Sequence, residues 1–263
     1  MSEITKHAPG MLCWTDLTTR DVNAAKRFYP ELLGWSTRDT PMPEGGVYVM
    51  AQQGGKDVAA ISAMTKEQQK QGMPPMWNSY FAVTNADEVA KKIVAAGGKL
   101  LAEPFDAMDA GRMCIAQDPS GAMFSLWQAK KHLGAGRMNE PGALCWTELE
   151  TSNVDACRGF YTKVFGWKTE TRQMAEGPYV VFSAGEKQVC GMMACSKNTP
   201  KGTPSHWTVY FAVKGCDDTV EKAKKLGAKI VVPPADIPDV GRFAMMFDPQ
   251  GAFFAVLQPS PRM

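Results

Sequence analysis

Apolar and polar positions along the chain follow two rhythms in turn, one of period two and one of period 3.6. The stretch LCWTDLT (12–18) is short and rich in strand-favouring residues, which predicts a β-strand. Directly after it, Val22, Ala25, Phe28, Tyr29, Leu32 and Leu33 recur at helical spacing and make one apolar face. Asp21 stands where a helix N-cap belongs, and Gly34 where a helix commonly ends. Two strand-like stretches follow, VYVMA (47–51) and VAAISA (58–63). The order then starts again: WNSYFAV (77–83) predicts a strand, residues 86–96 a helix closed by Gly97, and two further strands flank the turn sequence DPSG (118–121).

The second part of the chain repeats this plan. PGMLCWTDL (9–17) is rewritten as PGALCWTEL (141–149), an offset of 132 (141 − 9). KRFYPELLGW (26–35) returns as RGFYTKVFGW (158–167), so Asn153 takes the N-cap place and Gly166 the stop. Val154, Cys157, Phe160, Tyr161, Val164 and Phe165 form the matching apolar face. YVVFSA (179–184) and VCGMMA (189–194) answer the next strands. The offset then falls to 130 (226 − 96): AGGKL (96–100) pairs with LGAKI (226–230), and DPSG with DPQG (248–251). Short deletions in loops explain the drift while the elements stay in register. The polar, glycine-bearing AKKHLGAGRMNE (129–140) suits a linker. The expected division is a first domain over 1–130, a linker over 131–140 and a second domain over 141–263. A chain of 263 residues is long enough for each half to bury a core of its own.

Composition narrows the functional classes. A net charge of +2 lacks the concentrated basic face of a nucleic-acid binder. No apolar run approaches the roughly eighteen residues of a membrane span, and MSEITKHAPG has no signal-like apolar core. The seven cysteines include no closely spaced pair with metal or redox spacing. These features fit a cytoplasmic protein that contacts neither nucleic acid nor membrane.

The strand followed by D-x(6)-F-Y, the downstream G-W, the helix ending in A-G-G and the D-P-x-G-x(6)-Q segment together resemble the vicinal oxygen chelate superfamily. That superfamily includes glyoxalase I, extradiol dioxygenases and bleomycin-resistance proteins. The resemblance covers nearly the whole chain, twice. It implies an α+β fold of two tandem domains, each of paired βαβββ modules curling around a cavity. In metal-binding members, a histidine or glutamine stands seven residues before the helix-capping aspartate; the chain has Trp14 and Trp146 there. The second histidine position holds Asn78 and Thr208, and the glutamate position after the D-P-x-G turn holds Ser125 and Ala255. No carboxylate lies in 58–63 or 189–194, where the remaining glutamate belongs. Stable binding of zinc, nickel or iron takes three or four converging donors. The expectation is that neither domain holds a metal at the family's position, and no cofactor is expected.

Strand alternation puts Trp14, Asp16 and Thr18 on one face, and Trp146, Glu148 and Glu150 on its counterpart. The resemblance makes this the cavity face. By the same reasoning Asn78, Tyr80, Ser125 and Trp127 line the first cavity, and Thr208 and Tyr210 the second. Asp16 and Glu148 are the candidate acid/base groups, with Arg112 and Arg242 as possible partners. Two structural alternatives stand beside this. The acids can tie down backbone amides, and the arginines can pair with Asp109 and Asp239. The paired F-Y and G-W aromatics are expected in the core.

Three functions remain open: a metal-free binder of a small organic molecule, an isomerase, lyase or hydroxylase-like enzyme using Asp16 or Glu148, and a scaffold or regulatory partner with filled pockets. The more polar and aromatic first cavity is the expected site if only one domain is active. A monomer and a homodimer both suit the tandem arrangement.

Overall fold

The computed structural model describes residues 4–42, 45–174, 177–195 and 202–260. The first half runs β1 (Leu12–Thr19), α1 (Val22–Leu33), β2 (Ser36–Pro41), β3 (Val47–Gln53) and β4 (Lys56–Ala63). It continues with α2 (Lys66–Lys70), β5 (Met76–Ala82), α3 (Ala86–Ala95), β6 (Lys99–Ala107), β7 (Gly111–Gln117) and β8 (Met123–Ala129). The second half runs β9 (Leu144–Thr151), α4 (Val154–Phe165), β10 (Lys168–Met174), β11 (Gly177–Ala184) and β12 (Lys187–Ala194). It closes with β13 (His206–Ala212), α5 (Cys216–Lys225), β14 (Lys229–Ile237), β15 (Gly241–Phe247) and β16 (Phe253–Pro259). The helix α2, opened by a Thr65–Gln68 capping box, has no expectation in the apolar pattern because none of its residues is buried.

Each half makes an eight-stranded sheet, ordered β2-β3-β4-β1-β5-β8-β7-β6 in the first and β10-β11-β12-β9-β13-β16-β15-β14 in the second. The pairing of β1 is parallel to β4 and antiparallel to β5, while β5 runs parallel to β8. The sheet is therefore two βαβββ modules joined edge to edge at β1 and β5, and the α+β class follows. Asp21 and Asn153 cap their helices through Ala24 N–H and Ala156 N–H, and Gly34 and Gly166 end them in left-handed conformation.

The halves do not keep separate cores. One continuous apolar cluster runs through both, from Phe28, Trp35, Trp77 and Phe81 to Phe160, Trp167, Phe211 and Phe254. The repeated motifs join the halves reciprocally. Trp35 Nε1 donates to the Gly142 carbonyl at 2.5 Å, and Trp167 Nε1 to the Gly10 carbonyl at 3.0 Å. Gly10 holds φ of 80°, and a Cβ there would stand 2.9 Å from Trp167 Nε1, which is why the repeat opens on glycine. Tyr29 donates to Asp248 at 3.0 Å, and Tyr161 to Asp118 at 2.9 Å. The F-Y helix of each half thus closes on the D-P-x-G turn of the other. The helix-bearing faces are used up in this contact, and the opposite, concave faces are left to form a cup in each half.

Candidate functional site

The first cup is organised around Asp16, whose strand position faces Asn78 on β5 and Ala60 on β4. Its Oδ1 accepts from Asn78 Nδ2 at 2.8 Å, and its Oδ2 accepts from the hydroxyls of Tyr48 at 2.9 Å and Tyr80 at 3.0 Å. Trp14 Nε1 donates in turn to the Tyr48 hydroxyl at 3.1 Å, and Asn78 Nδ2 also reaches Thr18 Oγ1 at 3.1 Å. The buried Ser125 hydroxyl supports Tyr80 from β8. Burial pushes the Asp16 carboxyl up, and the donors from Asn78, Tyr48 and Tyr80 pull it partly back. Both tyrosines are held well above the usual phenol range by burial and by the neighbouring acid.

The second cup repeats the clamp with different parts. Tyr210 donates to Glu148 Oε1 at 3.0 Å, Tyr179 also bonds the carboxyl, and Trp146 Nε1 donates to Tyr179 at 3.0 Å. Asp16 with Asn78 becomes Glu148 with Thr208, so an added methylene on the acid accompanies a shorter side chain opposite. The trade is incomplete: Thr208 Oγ1 is buried and has no hydrogen-bond partner. Glu148 is pushed up to about 7, chiefly by burial, against the donors Tyr179 and Tyr210 and with a further push from Glu150. Gly191 lies between β11 and β9, and a Cβ on it would stand 1.7 Å from the Tyr179 hydroxyl. With Tyr179 placed as it is, the glycine leaves the room that its hydroxyl fills, whereas in the first half Tyr48 reaches Asp16 past Ala60.

Trp14, Thr18, Asn78, Tyr80 and Ser125 thus gather on Asp16, and Trp146, Thr208 and Tyr210 on Glu148, with Glu150 further along the same strand face. Trp127 joins the first apolar cup edge-on to Tyr80, with ring centroids 6.4 Å apart. The structure does not bring Arg112 and Arg242 to the acids. Arg112 pairs with Asp87 through two 2.7 Å bonds and with Asp106 at 3.4 Å. Arg242 does the same with Asp217 and Asp236. The proposed alternative partner Asp109 binds Lys131 instead. Tyr48 and Tyr179 are the residues the sequence reading missed; the available signal was a tyrosine near the start of the same strand in both halves. Two shallow surface clefts of about 220 and 420 Å³ lie elsewhere, one by Phe28 and Gln250, the other by Leu100 and Pro104.

The profile of the Glyoxalase/Bleomycin resistance protein/Dioxygenase superfamily matches residues 12–126 and 144–256. The chain belongs to this superfamily. It is 45% identical over 264 residues to the Mycobacterium tuberculosis protein named "Putative glyoxylase CFP32", covering all of both chains. It is 34% identical over 265 residues to "Anthracycline biosynthesis protein DnrV" of Streptomyces peucetius, covering 97% of this chain and 95% of that one. Its fold is similar to that of a Mn(II)-bound glyoxalase from Novosphingobium aromaticivorans, with a TM-score of 0.65 and 15% identity over 96% of this chain and 88% of the other.

The family's metal can be tested against these donors. Among the described residues no three His, Cys, Asp or Glu side chains converge on one point. In the first cup the single carboxylate Asp16 already accepts from two phenols and an amide, and its neighbours are an indole and hydroxyls. Such a set does not fit a divalent transition metal, which takes nitrogen, thiolate or several carboxylate donors.

Proposed function

We propose that the chain binds a small, planar, partly apolar organic molecule in its aromatic cups, holding it by hydrogen bonds and stacking. The observation that carries this reading is the acid clamped by two tyrosines, built twice on the concave faces. A buried ionisable group is a poor way to stabilise a fold, since well-packed apolar residues do as well or better. An acid with its own phenol and indole relay, set in an aromatic wall, is what a polar handle for an apolar ligand requires. The relative named for anthracycline biosynthesis supports a polycyclic aromatic ligand class.

A thermal-shift screen of hydroxylated aromatic and polyketide-like compounds tests this. A matched ligand at 100-fold over its Kd adds about 2.7 kcal/mol of stability. Silence across a broad library overturns the reading.

Glu148 favours a second reading, proton transfer on the bound molecule. A carboxyl pushed up to about 7 exchanges its proton near neutrality, as a general acid or base must. On this reading Glu148→Gln abolishes turnover of a bound compound while leaving its affinity measurable, and a fully active variant rules it out.

A further inference from the structure

The two cups differ in what lies over their tryptophans. In the first, the chain leaving β8 folds back across its own cup. Trp127 Nε1 donates to the His132 carbonyl at 2.9 Å, and the His132 ring packs edge-on against Trp14 and Trp127 at 4.6 and 5.9 Å. Ala135 N–H donates to the Cys13 carbonyl and Gly136 N–H to the Asp57 carbonyl, both at 2.8 Å. His7 Nε2 meets the Ala135 carbonyl at 2.9 Å, which pins the strap from outside. Ala135 is buried and, with Met138, joins the apolar cluster of Trp14, Tyr80 and Trp127. The linker thereby occupies both indoles of the first cup.

No described residue does this in the second half. Among the described residues its apolar cluster of Tyr210, Met245, Ala255 and Leu257 draws on its own half alone, and Trp146, Phe243 and Val240 border it partly exposed. Cys145 is half-buried where Cys13 is fully buried. Of the chain's seven tryptophans, six are buried and Trp146 is the one that is not. A second, independent observation lies in the same cup: the Thr208 hydroxyl is fully buried without a partner, on the strand position facing Glu148. Its counterpart Asn78 bonds both Asp16 and Thr18. A buried hydroxyl without a protein partner calls for one from outside the chain, a water or a ligand oxygen; the comparable group over the first cup, His132 Nε2, instead has the Asp57 carboxylate 3.7 Å away.

Resting on the small-molecule reading above, we propose that the second cup alone takes the ligand. That ligand is a planar aromatic molecule bearing a phenol or carbonyl oxygen, stacked on Trp146 with the oxygen set against Glu148, Tyr179 and Thr208. The first cup is closed by the chain's own linker and serves as scaffold. This reverses the expectation, drawn from composition, that the more aromatic first cup is the active one: its aromatics are spent on the strap.

The test is calorimetric titration of the full chain with 1,4-dihydroxyanthraquinone, a planar probe with both phenol and carbonyl oxygens. The expected result is a single molecule per chain. Trp146→Phe, which shortens the stacking surface, and Thr208→Val, which keeps the native shape, should each weaken binding by about tenfold or more. Acrylamide quenching gives a reading that needs no ligand. Quenchable emission should vanish in Trp146→Phe, and emission that is as quenchable in the variant as in the wild type overturns the exposure of Trp146. Two molecules per chain, or undiminished binding to both variants, overturns this inference and leaves the small-molecule reading standing. Failure of the probe to bind overturns the ligand class, and the library screen decides separately whether the chain binds any small molecule.

Discussion

Burial raises Glu148 to about 7 from its ordinary 4.5, and that shift couples the cup to the stability of the whole chain. Between those values the folded chain keeps a proton that the unfolded chain has released. Stability therefore falls as pH rises from about 4.5 to about 7 and levels off above it. The size of the loss is on the order of 3 kcal/mol at 1.36 kcal/mol per unit. Glu148→Gln keeps an oxygen for the tyrosines and has no charge to bury. Its urea midpoint should exceed the wild type's at about pH 8 and converge with it near pH 5. Parallel curves across that range would mean the acid is solvated. The two acids were legible in the sequence because they sit two places after a tryptophan on a patterned strand. Their tyrosine partners Tyr48 and Tyr179 were not, because they arrive from β3 and β11, whose registers pass through bulges at Ala51/Gln52 and Phe182/Ser183. The arginines misled for a related reason. Sequence proximity favours Asp109, but that residue lies in the β6–β7 turn, and Arg112 reaches across to Asp87 in the first turn of α3.

Among the elements, β11 and β12 show how backbone spacing sets the chemistry. The Tyr179 ring crosses the strand at Gly191, where the first half has Ala60 facing Asp16. Gly191→Ala should cost about 1–3 kcal/mol through overpacking and push the Tyr179 hydroxyl away from both Glu148 and Trp146. Urea unfolding and the Trp146 emission maximum report the two effects. A variant of native stability and unshifted emission would show that Tyr179 does not depend on that gap. Helices and inner strands were readable because each buries a face with a clear period. The edge strands β2 and β10 carry STRDTP and KTETRQM, exposed along most of their length, and offer no alternation to read. Their place at the sheet edges follows from pairing with β3 and β11, which is a long-range fact.

For the whole molecule, the repeat itself was the clearest signal in the sequence, yet the residues expected to serve each half's own core serve the other half as well. Trp35 and Trp77 pack on Phe211 at 5.4 and 5.0 Å, and Phe81 packs on Trp167 and Trp207 at 5.2 and 5.4 Å. Tyr29 hydroxyl takes a bond from Trp77 and gives one to Asp248, while the other Asp248 oxygen holds the N–H groups of Gln250 and Ala252. Tyr161 does the same between Trp207 and Asp118. A periodicity argument cannot tell which sheet a buried aromatic serves, only that it is buried. Tyr29→Phe leaves a buried carboxylate oxygen and an indole N–H without their partner, at a cost of about 1–3 kcal/mol for each orphaned group. Tyr161→Phe should cost less in the mirror position, because Asp118 Oδ2 also accepts from the Cys157 thiol at 3.5 Å. Because each tyrosine–aspartate bond joins the halves, the loss must appear in the unfolding of both. Differential scanning calorimetry should therefore show one transition in the wild type, with calorimetric and van't Hoff enthalpies equal, and one transition at lower Tm in each variant. If a variant's scan splits so that one half keeps the wild-type Tm, the halves are separate folding units. The shared core would then have to be a docking surface between two finished domains, not the common interior that the reciprocal tryptophans and tyrosines describe.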